Sequence, residues 1–195
     1  REASAELYHD PAELEAALAR LQSTGTPLRG MLVTEKVSGT YADNLWAKWG
    51  TYRIGDEIIT EHIAVETMWL VKIGDHAKVT DAIARDENQA VATGRFAEEL
   101  RPAFALSGIE YGRADHAVVS GKTVIYEINT NPSLTRFKPS PLPLRRETQI
   151  IARTRIAAAF AAIDSPAGGR VRIPETPLRQ PLRWSIPGFR PPRRP

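Results

Sequence analysis

Two strand-like runs with a very short connection place the strongest constraint on how this chain folds. Apolar and β-branched residues dominate positions 109–119 and 123–129, and Ser120-Gly121-Lys122 between them has the composition of a turn. The pattern predicts an antiparallel hairpin. Each run also contains polar residues, Arg113 and Asp115 in the first and Glu127 and Asn129 in the second.

The register of this hairpin decides whether its polar residues meet. Side chains alternate between the two faces of a strand, so Arg113 and Asp115 share one face, as do Glu127 and Asn129. We expect a three-residue connection, which places Asp115 opposite Glu127 and Arg113 opposite Asn129, whereas a two-residue turn would separate them.

Two opposed carboxylates predict a bound cation. Like charges directly opposite each other destabilise a sheet by roughly 0.2 to 1 kcal/mol, and a divalent cation between them would remove this penalty. With the amide of Asn129, Asp115 and Glu127 form an oxygen-only ligand set, which favours Mg²⁺ or Mn²⁺ over zinc. Magnesium commonly binds one or two carboxylates together with substrate phosphates, so a nucleotide is expected. The alternative is an exposed polar hairpin face that ends in an Asn-Pro turn.

The order of these residues resembles a known signature. Arg-x-Asp, a hairpin and then Glu-x-Asn-x-x-Pro resembles the carboxy-terminal motif of the ATP-grasp superfamily, seen in D-alanine:D-alanine ligase and glutathione synthetase. The resemblance implies that Asp115, Glu127 and Asn129 hold the magnesium ions that bridge the ATP phosphates. It also implies that Arg113 steadies an acyl-phosphate or a substrate carboxylate. Ser133 departs from the family, which often has Gly at that position.

The resemblance extends upstream to the nucleotide side. Glu35, Lys36 and Val37 follow an apolar run and are similar to the ATP-grasp hinge, whose backbone groups bind the adenine edge. The resemblance also implies that Lys72, and less strongly Arg53, match the strand-borne cations with which the family neutralises the triphosphate. The simpler readings are a solvated strand end for the hinge residues and snorkelling strand-edge cations for Lys72 and Arg53.

The fold that the resemblance implies is α+β and ATP-grasp-like, with an antiparallel sheet and helices packed on one side. Residues 1–37 would be a remnant of the first lobe and the hinge, 38–164 the second lobe, and 165–195 a Pro/Arg-rich basic tail without a fixed fold. Because the chain starts at Arg1 and reaches the hinge by residue 35, we expect an incomplete first lobe and an amino-terminally truncated chain. The resemblance is strongest to bacterial members without an assigned substrate.

The activity implied is that of an ATP-dependent carboxylate–amine ligase that works through an acyl-phosphate, with ATP and Mg²⁺, or Mn²⁺, as cofactors. Its partners would be a small-molecule or peptide carboxylate and an amine acceptor. Two alternatives stay open. One is a kinase that uses the same nucleotide site to phosphorylate a hydroxyl, and the other is a catalytically incompetent ATP-binding or adaptor fragment.

Composition restricts the other function classes. The chain contains no Cys, which excludes disulfides and thiolate chemistry and favours a cytoplasmic location, and it has no apolar run near the ~20 residues of a membrane span. The overall charge of +3 conceals an uneven distribution, since residues 165–195 contain seven Arg and one acidic residue, a net +6 that leaves −3 for residues 1–164. We therefore expect no membrane partner, and nucleic-acid binding only through the tail.

The remaining elements follow from periodicity and from helix and turn signals. A β-hairpin is predicted around Gly55-Asp56, and Trp46, Trp49 and Trp69 are expected in the core or in a pocket wall. The four His residues have no metal-binding spacing, and His116 should point away from Asp115. Helices are predicted at 11–22, 80–92, 95–106 and 144–163, and strands at 31–37, 46–54, 57–65 and 67–73.

Overall fold

The computed structural model of the protein describes residues 5–37, 40–42, 44–134 and 139–164. In this part of the chain, four α-helices and four strands occur, together with a 3-10 turn at His76–Lys78. The helices are α1 Pro11–Ser23, α2 Asp81–Thr93, α3 Ala97–Leu106 and α4 Pro143–Ile163. The strands are β1 Trp46–Ile54, β2 Glu57–Glu66, β3 Tyr111–Val119 and β4 Lys122–Asn129.

Local signals explain where these elements begin and turn. Asp10 caps α1, because its side chain accepts a hydrogen bond of 2.9 Å from the backbone N–H of Glu13, and Pro11 occupies the first helical position. Thr80 caps α2 in the same way through the N–H of Ile83. Gly55, with φ of +60°, provides the left-handed residue between β1 and β2. The predicted helices and the first hairpin are confirmed within one or two residues at most ends.

The four strands form one antiparallel sheet in the order β2-β1-β3-β4. Trp49 and Ile63 of the sheet pack with Phe96, Leu100 and Phe104 of the α3 region in the main core. Each large apolar side chain buried here contributes about 1.5 to 3 kcal/mol. The predicted α+β class, with helices on one side of an antiparallel sheet, is confirmed, while likeness to the ATP-grasp fold itself stays a prediction.

A second apolar cluster attaches α4 to the sheet. Ile156 and Ala159 of α4 pack against Tyr52 and Ile54 of β1 and Ile59 of β2. The helix predicted at 144–163 is thereby confirmed, and it packs on the sheet as expected.

A buried ion pair joins α2, α4 and the edge strand β2. Arg145 and Glu87 are almost inaccessible, and their Nε and Oε2 atoms lie 2.9 Å apart. Glu87 also accepts from the N–H of Ile63 at 3.1 Å, and Arg145 donates to the carbonyl of Ile63 at 2.9 Å. The pair thus satisfies both backbone groups of one β2 residue.

The hairpin of β3 and β4 corrects the predicted connection. Val119 pairs with Lys122, so the turn contains two residues, Ser120 and Gly121, rather than three. Both have positive φ, 51° and 76°, as in a type I′ turn, whose twist matches that of the strands. An extra residue in β4, Tyr126, forms a bulge and restores the pairing of Asp115 with Glu127 and of Arg113 with Asn129. The predicted pairing of these residues is confirmed, but the three-residue connection that was expected to produce it is wrong.

Two predicted strands are wrong. Residues 31–37 form no strand and are exposed, with Leu32 90% accessible, because no described strand pairs with their backbone. Residues 67–73 form bends after β2 ends at Glu66. Apolar content alone suggested strands, but a strand also needs a hydrogen-bonding neighbour. The predicted tail, 165–195, lies outside the described residues.

Among the described residues, no helix combines the length and the apolar character needed to cross a membrane.

Removal of Glu87 should be costly, because it would leave the Arg145 guanidinium buried without its counter-charge. We expect Glu87→Ala to lower the free energy of unfolding by about 3 to 5 kcal/mol, measured by chemical denaturation. The control Glu147→Ala, at an exposed position of the same α4, should change it by less than about 0.5 kcal/mol. Joint replacement of Glu87 and Arg145 by Met should recover only part of the loss, because the N–H and C=O of Ile63 would lose their partners. A single-variant loss near that of the control would contradict the role of the pair.

Candidate functional site

One row of residues crosses all four strands of the sheet. His62 of β2 pairs with Gly50 of β1, Gly50 pairs with Asp115 of β3, and Asp115 pairs with Glu127 of β4. The row contains three titratable side chains and one glycine. Both bulges of the sheet lie beside it, since the register shifts by one residue at Glu61 in β2 as it does in β4.

Gly50 leaves space that neighbouring side chains use. A Cβ at this position would lie 3.0 Å from Cε1 of His62 and 3.3 Å from Cδ of Arg113. The φ of Gly50 is not in the left-handed region, so the backbone conformation does not require glycine here. Glycine is required because the side chains of His62 and Arg113 approach this position closely, and its lack of a Cβ lets both lie over the sheet.

Asp115 is a buried carboxylate held by two cations. Lys48 Nζ lies 2.8 Å from its Oδ2 and Arg113 Nε 2.9 Å from its Oδ1. Burial acts to raise the pKa of Asp115, but hydrogen bonds and charges from Lys48 and Arg113 outweigh this effect and hold the pKa below its usual value. The carboxylate is therefore ionised, and Lys48 provides the positive charge that was expected from a metal.

Glu127 and Asn129 lie on the exposed part of β4. The Asn129 Oδ1 accepts a hydrogen bond of 2.9 Å from the N–H of Asn131, in the turn that ends the strand. Within the described ranges, no group of three or more His, Asp or Glu side chains is arranged to hold a metal ion. The oxygen donors present are two carboxylates and one amide, a set that fits Mg²⁺ in chemistry, although Asp115 can ligate only if Lys48 withdraws.

A cavity of about 370 Å³ lies beside these carboxylates. Asp115, Glu127, Lys48 and Lys72 line it, as does the segment 34–37. Its apolar wall is formed by Trp46, Trp69, Leu70 and Val71.

The structure thus brings most of the predicted site residues together. Six of them line this cavity: Glu35, Lys36, Val37, Lys72, Asp115 and Glu127. The expectation for the tryptophans also holds, since Trp46 and Trp69 line the cavity and Trp49 is buried in the core. Lys36 Nζ lies 4.3 Å above the centre of the Trp46 ring, a cation–π distance.

Three predicted residues lie elsewhere. Arg53 donates from Nε to the carbonyl of Gly55 at 2.9 Å and lines neither of the two cavities described. Asn129 is beyond the lining of the first cavity, although it is opposite Arg113 in the sheet. Arg113 itself reaches Asp115 and lines a second cavity.

The second cavity, of about 540 Å³, lies along β2 and α4. Lys72 lines both cavities, so the two are neighbours. Its lining is rich in charge and includes Glu61, His62, Asp75, Arg113, Arg145 and Arg153.

Sequence reasoning missed Lys48, Gly50, Glu61 and His62. For Lys48 a signal existed, because it alternates with Ala47 and Trp49 and so had to face away from the main core. Its partner was hidden, since the sequence does not show that β1 lies beside β3. The bulge at Glu61 left no sequence signal, as Glu and His are ordinary residues of an exposed strand.

His116 lies on the core side of the sheet, as predicted, and takes no part in the site. It is fully buried, with Nε2 at 2.9 Å from the Thr51 hydroxyl and its ring edge-on to Phe96 at 4.6 Å. Burial lowers the pKa of His116 to about 4, so the ring is neutral near pH 7.

Comparison with known proteins gives no match: no family model, no curated protein and no solved structure is significantly similar to this chain. What the protein does is therefore inferred from its own residues and their geometry.

Lys48 should stabilise the fold through Asp115. We expect Lys48→Met to lower the free energy of unfolding by about 1.5 to 3 kcal/mol, because the buried carboxylate would lose one of two charged hydrogen-bond donors. Denaturant titration would measure this. Lys122→Met removes an exposed Lys from β4 and should have an effect below about 0.5 kcal/mol. Equal effects of the two substitutions would show that the ion pair does not matter to stability.

Proposed function

We propose that this chain is the ATP- and magnesium-binding part of an ATP-dependent carboxylate–amine ligase. The observation that supports this most directly is the first cavity, which is lined both by the predicted hinge residues 35–37 and by Asp115 and Glu127. These two groups are far apart in the sequence, and the resemblance implies that they are the two ends of one nucleotide site.

The apolar wall suits the base and the carboxylate end suits the phosphates. Trp46 and Trp69 provide aromatic surface on which an adenine ring can pack. Residues 35–37 belong to no strand, so their backbone N–H and C=O groups are not used in a sheet and can pair with the edge of the base. Lys48 and Lys72 provide positive charge beside Asp115 for the phosphates.

Magnesium would be held by Glu127 and Asn129, with Asp115 as a third ligand once Lys48 turns from it to a phosphate. Charges stay paired in this exchange, because Mg²⁺ would replace the Lys48 ammonium at Asp115 and the ammonium would pair with a phosphate. When bound, Mg²⁺ neutralises charge on the phosphate oxygens and orients them for transfer.

The chemistry requires positioning and charge rather than a nucleophilic side chain. An oxygen of the substrate carboxylate forms a bond to the γ-phosphorus of ATP, and the bond from that phosphorus to the ADP oxygen breaks. Arg113, whose guanidinium already bonds a carboxylate at Asp115, would hold the resulting acyl-phosphate. The amine then bonds to the acyl carbon and loses a proton, and inorganic phosphate leaves.

The other parts of the proposal follow from this activity. The substrate would be a small-molecule or peptide carboxylate with an amine acceptor, and the reaction would take place in the cytoplasm. A kinase activity would be recognised by ADP formation without a ligated product when hydroxylated compounds are supplied.

Binding of Mg-ATP is the direct test. We expect Mg-ATP to raise the melting temperature of the protein, and Glu127→Gln to weaken Mg-ATP binding at least about tenfold by calorimetry, a loss of about 1.4 kcal/mol, because a charged ligand is removed. The fold should be unchanged, as Glu127 is exposed. Turnover by the full-length protein should be abolished in the same variant.

Glu110→Gln is the matched control, an exposed Glu in the loop before β3, and should bind Mg-ATP as the parent does. Omission of Mg²⁺ should remove the difference between the parent and Glu127→Gln. Mg-ATP that fails to bind the parent, or that binds it and Glu127→Gln equally well, would refute the proposed site.

A further inference from the structure

We infer that the second cavity is a binding site for a small anion, a carboxylate or a phosphate, recognised by Arg113 and Arg153 next to the Glu61–His62 pair. The cavity lies along β2 and α4 and is separate from the aromatic wall that would hold a base. That the bound anion is part of the acceptor substrate rests on the proposed function. That the cavity binds an anion does not.

The charge of the cavity favours an anion. Four cations line it, Lys72, Arg113, Arg145 and Arg153, against two carboxylates, Glu61 and Asp75. Arg145 is matched by the buried Glu87, so Arg113 and Arg153 are the cations that a bound anion would contact.

The contacts of the two arginines leave them able to bind an anion. Asp115 is shared by two cations, Lys48 and Arg113, so Arg113 is not its sole partner. Asp75 is already engaged, since its side chain accepts from the N–H of Ala77 at 2.9 Å. Oε2 of Glu61 lies 3.1 Å from Nδ1 of His62, whereas its Oε1 is at the longer distance of 3.5 Å from Nη2 of Arg153. An anion can therefore compete for Arg153 at little cost.

Two features of the sheet give the cavity its form. The bulge at Glu61 places two successive polar side chains, Glu61 and His62, against the cavity, which a regular strand would direct to opposite faces. Gly50 opposite the bulge makes room for His62 and Arg113 over the sheet. Burial opposes ionisation of Glu61, yet His62 and the nearby arginines hold its pKa below the usual value. Glu61 is thus an ionised carboxylate in the wall of the cavity.

Helix α4 forms the opposite wall through one face. Arg145, Gln149 and Arg153 are spaced four residues apart and line the cavity together. The Arg145 contact with the carbonyl of Ile63 fixes this face against β2. Gln149 accepts from the N–H of Ser140 through Oε1 at 2.9 Å, so its amide N–H₂ is left as a donor. A guanidinium and an amide one turn apart suit the oxygens of a carboxylate or phosphate.

The four histidines provide an experiment that needs neither ATP nor the identity of the substrate. His62 and His76 line the cavity, whereas His9 and His116 do not. We expect titration with sodium acetate, sodium glutarate or sodium phosphate, at constant pH and ionic strength with EDTA present, to shift the imidazole NMR signals of His62 and His76 in a saturable way. The signals of His9 and His116, assigned through single His→Gln variants, should stay in place.

Substitutions on α4 and α3 test the recognition. Arg153→Gln should weaken the best-bound anion about tenfold, Arg153→Lys should retain most of the affinity, and Arg101→Gln, at an exposed position of α3, should have no effect. Tighter binding of acetate and glutarate would identify a carboxylate ligand, and tighter binding of phosphate a phosphorylated one.

Three outcomes would overturn the inference: no saturable shift with any of the anions, equal shifts of all four histidines, or the same affinity in the parent and Arg153→Gln. The result is separable from the nucleotide proposal, because Mg²⁺ and ATP are absent. If the protein binds anions in this cavity but does not bind Mg-ATP, the ligase proposal is refuted and the anion site is still supported.

Discussion

The arrangement of the whole site depends on strand register, which two extra residues set. Glu61 in β2 and Tyr126 in β4 each add one residue beside the row His62, Gly50, Asp115 and Glu127. If either strand were regular, every side chain beyond that point would change face, and the polar residues would be exchanged with core residues. The apolar packing of Trp49, Ile63 and Phe96 on the other side keeps this register in place, so the core and the polar face specify each other.

Much of this fold could be predicted from the sequence, because helices and hairpins leave local signals. Caps at Asp10 and Thr80 and the Gly55-Asp56 turn set the element ends, and the observed bounds agree closely. The opposition of Asp115 and Glu127 was also predicted, but through two errors that offset each other. The connection is one residue shorter than expected and β4 one residue longer, and a Tyr in a strand gives no sign that it is a bulge.

The remaining features depend on contacts between distant segments, which local patterns do not contain. Lys48 becomes a partner of Asp115 only because β1 lies beside β3, and Gly50 matters only because His62 and Arg113 approach it from two other strands. Residues 31–37 and 67–73 have the composition of strands, yet they form none, and parts of them, 34–37 and 69–72, line the first cavity. The sequence thus predicted the residues of the proposed site better than it predicted the secondary structure of the segments that carry them.

The Glu87–Arg145 pair has a consequence for how this protein behaves at high concentration. An edge strand with open N–H and C=O groups is a template for a second chain, and growth of such pairing leads to aggregation. At Ile63, side chains of α2 and α4 occupy both backbone groups, so an incoming strand would have to break a buried ion pair before it could form its own hydrogen bonds there. The two helices therefore protect β2 as well as pack on it, and the sheet is guarded against self-association along this border by charge rather than by shape.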